Sequence, residues 1–175
     1  IVVNREVNAV IVPDGTIVPL KPGLAGFITQ ALGGSFTIYV EGNLYRISGE
    51  DADAIGKEST RPPELPPNAT LEDVRQLAWA QMRNCYDPEI PINIVELGLV
   101  YACDVAAAAD GSREVSVRMT LTAPGYGMGE VLVQDVREKV QAIPTVSKVD
   151  VELVFDPPWS QSMMSEAARL QTGMM

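Results

Sequence analysis

Four prolines crowd into the eleven residues Ser59-Thr60-Arg61-Pro62-Pro63-Glu64-Leu65-Pro66-Pro67-Asn68-Ala69. Proline fixes φ, removes a backbone donor and pushes the preceding residue out of helical geometry, so no regular element continues through such a run. The stretch predicts an extended, semi-rigid spacer of at most roughly 34 Å, at ~3.1 Å per residue. It divides the chain into residues 1–58 and 70–175, and the two sides carry different periodicities.

The first side reads as short strands and turns. Val7 to Val12 is apolar and largely β-branched and stops at Pro13-Asp14-Gly15. Ile17 to Leu20 runs into Lys21-Pro22-Gly23. Phe36 to Val40 and Leu44 to Ile47 flank Glu41-Gly42-Asn43, a hairpin signal. No helical period competes, and the expectation is a small all-β barrel or roll over 1–58. Asp51 and Asp53 have the spacing of a calcium-loop fragment without its remaining ligands, so they are expected to be solvated turn acids.

The second side alternates helices and strands. Thr70 is placed as an N-cap, with Asp73 three residues on to complete a capping box. Val74, Leu77, Ala78, Met82 and Cys85 then recur at helical spacing, and Pro88 forces an end. Leu99–Val105 and Val115–Leu121 read as strands. In the second, Val115, Val117, Met119 and Leu121 alternate, which buries one face. Met128, Leu132, Val136 and Val140 form the stripe of a second helix, and Val149, Val151, Leu153 and Phe155 alternate as a third strand. A short helix is expected from Ser162. The predicted class is α+β: an all-β module, then an α/β domain of order α-β-β-α-β-α with a three-stranded mixed sheet.

Composition narrows the chemistry. The charge, 13 − 23 = −10, argues against a nucleic-acid or membrane-surface partner. No apolar run of spanning length occurs and no leader is visible, so a cytoplasmic protein is expected. Two cysteines, Cys85 and Cys103, are too few for a disulfide framework and fit a reducing compartment. The chain has no histidine, which removes Ser-His-Asp and Cys-His catalysis and histidine-bound metals. Two thiols cannot supply the four ligands of an ordinary cluster within one chain.

Three segments carry the remaining polar chemistry: Asp87-Pro88-Glu89-Ile90-Pro91-Ile92-Asn93-Ile94, Thr122-Ala123-Pro124-Gly125-Tyr126-Gly127-Met128, and Asp156-Pro157-Pro158-Trp159. The first and last each leave carboxylates where regular structure stops. The middle one is a Gly-rich turn opening a helix, whose N-terminal N–H groups suit an anion. All three fall at predicted element ends. Asp87, Glu89, Thr122, Tyr126 and Asp156 are therefore expected in one concave region at the sheet edge, with the turn from Gly125 to Gly129 presenting free N–H groups there. Each has a structural alternative. Asp87 and Glu89 bind a metal or partner, or else cap local N–H groups. Asp156 is a motif residue or a turn carboxylate. Trp159 anchors a partner or lids the core. Cys85 and Cys103 both sit at apolar positions and read as core thiols rather than ligands. Met163, Met164, Met174 and Met175 suit helix packing or an adaptable apolar contact.

The segments 87–101, 119–129 and 156–166 together resemble the metal–sulfur cluster assembly domain, which also occurs in the PaaD protein of phenylacetate degradation. Residues 28–36 and 49–56 look like the N-terminal extension of the SufT family. The resemblance implies a non-catalytic accessory or adaptor in iron–sulfur cluster assembly or insertion, with assembly proteins and client apoproteins as partners. It implies at most a transient iron or iron–sulfur cargo.

One position departs from that family. After Pro124-Gly125 it usually carries a cysteine, and this chain has Tyr126. A phenol with an ordinary pKa near ~10 is a poor replacement for a thiolate towards iron and sulfide. Cluster ligation is therefore not carried over to position 126. Two other readings stay open. One is a carrier acting as a homodimer that shares Cys85, Cys103 and carboxylates. The other is a metal-dependent hydrolase built on Asp87, Glu89 and Asp156.

Overall fold

The computed structural model describes residues 1–87, 90–123 and 129–173. They form two compact units, Ile1–Pro62 and Pro63–Met175, taken here one at a time. No helix or strand occupies residues 58–66. Thr60 donates its N–H to the Gly49 carbonyl of the first unit, and Leu65 packs on the core of the second.

The first unit is an antiparallel five-stranded sheet. Strands β1 (Val7–Val12), β2 (Ile17–Leu20), β3 (Gly26–Gln30), β4 (Phe36–Val40) and β5 (Asn43–Ile47) lie in the order β2-β1-β5-β4-β3. The β4–β5 hairpin closes on the pair Val40 and Asn43. Glu41 and Gly42 both take positive φ between them, 47° and 88°, and this turn sense matches the twist of the flanking strands. Residues 1–3 run beside 23–26: Val3 donates to the Leu24 carbonyl and Gly26 to the Ile1 carbonyl. Val3, Val7, Ala9, Leu20, Ile38, Val40 and Ile47 make the core.

Two features of this unit depart from the sequence reading. β3 was not expected as a strand, because Gly26-Phe27-Ile28-Thr29-Gln30 offers few inward apolar groups; its residues alternate between half-buried and exposed. A 3₁₀ helix also spans Gly49–Ile55. Ser48 accepts the Glu50 N–H at its start, Gly56 ends it at φ 75°, and Ala52, Ala54 and Ile55 are buried beneath it. Asp51 and Asp53 stay partly exposed, as expected of turn acids, and they also hold Arg5. The guanidinium grips Asp53 through Nε and Nη2 at 2.8 and 2.7 Å and reaches Asp51 at 3.1 Å. The Arg5 side chain, first among causes, depresses the Asp53 carboxyl to about 2. A depressed carboxyl stabilises above its ordinary pKa and loses that contribution as pH falls through its folded value. The stability gap between the parent and Asp53→Asn should therefore be open above pH 3.8 and close as pH falls through about 2, read by thermal unfolding across that window.

The second unit runs α1 (Leu71–Met82), β6 (Val100–Ala107), β7 (Arg113–Met119), α2 (Gly129–Gln141), β8 (Val146–Leu153) and α3 (Glu166–Thr172). α1 starts where a capping box directs: Thr70 accepts the Asp73 N–H at 3.1 Å, and Asp73 accepts the Thr70 N–H at 2.8 Å. β7 is the central strand, antiparallel to β6 and parallel to β8. A parallel neighbour needs a crossover, which α2 supplies. Val115, Val117 and Met119 are buried while Glu114, Ser116 and Arg118 are exposed, so β7 alternates as its sequence dictates. Val74, Ala78 and Met82 of α1 and Leu132, Val136 and Val140 of α2 pack on that apolar face. Lys139 ties the helices, reaching Asp135 at 3.3 Å and the Asn84 carbonyl at 2.5 Å.

Element ends shift from expectation in three places. α1 stops at Met82, so Cys85 lies beyond the helix, though still buried. The last strand runs Val146–Leu153, leaving Phe155 outside and exposed. The expected helix from Ser162 is a 3₁₀ turn, Gln161–Met163, followed by α3, which is capped by Ser165 accepting the Ala168 N–H. Met128, placed on the α2 stripe, and Met174 and Met175 lie outside the described residues.

Candidate functional site

Strand direction gathers the site. β6 starts, β7 ends and β8 ends at the same edge of the sheet, with Val100 paired to Met119 and Met119 to Leu153. The ladder continues past the strands: Thr120 donates to the Leu99 carbonyl and Val154 to the Met119 carbonyl, both at 2.8 Å. Segments 90–99, 120–123 and 154–159 thus leave the sheet side by side. Thr122 is half-buried and Asp156 exposed at this edge.

The segment before β6 is a closed loop. Ile94 donates to the Cys85 carbonyl, Leu99 to the Ile94 carbonyl, and Asn93 Oδ1 accepts the Glu96 N–H. Ile92, Ile94, Leu97 and Leu99 point into the core. Asp87 is only 2% exposed, and its Oδ1 accepts the Ile90 N–H at 3.2 Å. One oxygen of this carboxylate thus meets a local N–H group. Glu89, Gly125 and Tyr126 lie outside the described residues, and so does the expected Gly125–Gly129 turn up to Met128.

A C-terminal strap, residues 156–165, is fastened to this loop. The Trp159 indole donates to the Leu97 carbonyl at 2.7 Å, the Tyr101 hydroxyl to the Pro157 carbonyl at 2.9 Å, and the Ser165 N–H to the Glu96 carbonyl at 2.8 Å. Trp159 is half-buried and packs on the core, so its polar group is spent inside the molecule. A groove of about 560 Å³ remains between strap and sheet. Gly98, Val100, Tyr101, Ala102, Arg118, Asp156, Pro157 and Met163 line it. The β6–β7 register shifts between Val100 and Ala102; such irregularities turn a side chain out of the alternation. Here the displaced residue is Tyr101.

Sequence reasoning missed three contributors to this edge. Tyr101 and Arg118 gave only strand signals, although Arg118 falls on the exposed face of the β7 alternation. Thr120 is fully buried, and its Oγ1 has no hydrogen-bond partner. A buried hydroxyl without a partner is uncommon and costly. It sits two residues before Thr122, which the motif had singled out instead.

The thiols offer little to a metal. Cys85 and Cys103 are buried, and neither is in a disulfide. Burial pushes the Cys103 thiol up to about 11, away from the thiolate that binds iron. Among the described residues, no group of three or more Cys, Asp or Glu side chains is placed to hold a metal ion.

Comparison with known proteins places this fold. A family model described as iron–sulfur cluster assembly protein matches residues 75–153, from within α1 to the end of β8. The second unit is thus an iron–sulfur cluster assembly domain. An Fe–S protein maturation auxiliary factor of Porphyromonas gingivalis is 43% identical over 106 residues, which are 61% of this chain and 93% of that protein. The auxiliary factor SufT of Staphylococcus aureus is 39% identical over 87 residues, 50% of this chain and 94% of that one. The crystal structure of a DUF59 domain from Bacillus anthracis is 33% identical with a TM-score of 0.52, covering 60% of this chain and 96% of that one. The chain belongs to the SufT family of Fe–S protein maturation auxiliary factors. These relatives are spanned almost end to end by a match about as long as the second unit. They are named as auxiliary factors rather than enzymes. No helix among the described residues is long and apolar enough to cross a membrane.

Proposed function

We propose that the chain is a non-enzymatic accessory factor that helps deliver iron–sulfur clusters to client apoproteins in the cytoplasm, by holding assembly proteins and clients rather than by keeping a cluster itself. The observation that carries this reading is the 43% identity across 93% of a maturation auxiliary factor. The chemistry of the site supports the second half. The buried Cys103 thiol is held protonated, and position 126, where the resembled family usually carries cysteine, is tyrosine. On this reading the contact surface is the sheet edge, with Asp156, Tyr101 and Arg118 around the groove and Thr122 beside it. Glu89, Gly125 and Tyr126, outside the described residues, are proposed for the same role on their sequence motifs alone. The strap keeps one wall of the groove in place, so a partner meets a preformed surface and loses less entropy on binding. The prolines of 59–69 join the all-β module to this domain as an extended linker.

The carrier reading needs thiolates and the hydrolase reading needs a nucleophile, and the described residues favour neither. Anaerobic reconstitution separates adaptor from carrier. Iron and acid-labile sulfide per chain should stay well below one cluster for the parent and rise in Tyr126→Cys. A stoichiometric cluster in the parent makes the protein a carrier. No change in the variant removes position 126 from cluster chemistry and leaves that loop as a contact surface.

A further inference from the structure

We propose that two copies of this chain pair along the free edge of β8, joining their three-stranded sheets into one of six strands. β8 lies at the end of the sheet order β6-β7-β8. Past the Gln141 side chain, which donates to the Val146 carbonyl, no described residue hydrogen-bonds to the far edge of β8. The other sheet edges are blunted. The Cys103 carbonyl of β6 is taken by Arg75 Nε from α1, β2 carries Pro19, and β3 begins against residues 1–3. Blunting of this kind is how proteins keep edges from recruiting strands. β8 spans eight residues without proline or glycine.

The side chains of β8 select the partner and the register. Lys148, Asp150 and Glu152 are exposed on one face, and Lys148 lies 3.5 Å from Asp150 of its own strand. On the other face Val149 is buried, while Val151 and Leu153 keep part of their apolar surface open. A two-fold axis makes the same patch meet itself, so the strands must run antiparallel. Centring the pair on Val149 sets Lys148 against Asp150 of the second copy twice and Val149 against its own counterpart. Centring it on Asp150 sets Lys148 against Glu152 twice but opposes two aspartates, and centring it on Val151 opposes Asp150 to Glu152. Opposite charges directly across a ladder stabilise it and like charges destabilise it. Of these three registers, only the one centred on Val149 sets opposite charges together without opposing like ones. Lys148 then turns away unrelated strands and finds its acid in another copy of β8.

One strand pairing buries less than the ~1,200 Å² of a durable interface, so a weak dimer is expected. Sedimentation equilibrium of the full chain over a concentration series reads it without iron, sulfide or a client, so the outcome is independent of the proposed function. Lys148→Glu and Asp150→Lys should each weaken the dimer by about tenfold, and the double swap should restore it to within about threefold. Both positions are exposed, so unchanged thermal unfolding of the variants excludes loss of fold. A monomer at all concentrations overturns the proposal and leaves the edge to a strand of another protein. A dimer indifferent to the swaps, or one the double swap does not restore, also overturns it.

Discussion

Replacing Gly98 by alanine should destabilise the second unit by about 3 kcal/mol, lowering its unfolding temperature by roughly 10 °C. Two costs add. Gly98 has φ 77°, a conformation that costs an L-residue about 1–2 kcal/mol. A Cβ there would also stand 2.2 Å from the Met163 carbonyl oxygen and 2.9 Å from Met163 Cβ. The first of these is backbone, so no rotamer change relieves it, and forced overpacking costs about 1–3 kcal/mol more. The strap must lift, taking Met163 and Pro157 from the wall of the groove. Gly111→Ala is the matched control: φ is 84° and nothing lies within 4 Å of the new Cβ, so only the conformational cost of about 1–2 kcal/mol applies. Thermal unfolding of the two variants side by side checks this. Equal losses would mean that the strap does not press on Gly98.

Trp159→Ala should cost about 2–3 kcal/mol, below the range for a fully buried tryptophan because the ring is only partly buried. The variant loses ring packing on the core and also leaves the Leu97 carbonyl without the indole N–H at 2.7 Å. Trp159→Phe separates the two. It keeps most of the packing and should lose only the hydrogen bond, about 1 kcal/mol. Denaturant unfolding gives both numbers. A tryptophan that served only to anchor a partner would leave stability untouched in both variants and change binding alone.

The elements legible in the sequence were those whose signals are local. Thr70 and Asp73 satisfy each other three residues apart, so the start of α1 needs no tertiary information. The alternation of Val115, Val117 and Met119 follows from strand geometry, and the Glu41-Gly42 turn from its backbone. What escaped depends on distant partners. The pairing of Asp51 and Asp53 with Arg5 was not legible because Arg5 lies 46 and 48 residues away. The choice between anchor and lid for Trp159 turns on Leu97, 62 residues back. β3 and the 3₁₀ helix at Gly49–Ile55 owe their form to the sheet and caps around them, not to a strong period. At the site, the gathering of segments 90–99, 120–123 and 154–159 follows from strand directions. The sequence supplied their element ends but not the pairing order. Arg118 and Tyr101 looked like ordinary strand residues, and only the β6–β7 register and the docked strap make them walls of a groove.

The most direct measurement of the proposed role is the activity of an iron–sulfur enzyme in cells that lack their own SufT-type factor and are supplied with this chain. The account predicts that enzyme activity recovers at unchanged enzyme protein level. It also predicts a smaller recovery with Gly98→Ala, whose groove has lost a wall. Folded, well-expressed parent protein that leaves the enzyme in its apo form would contradict it.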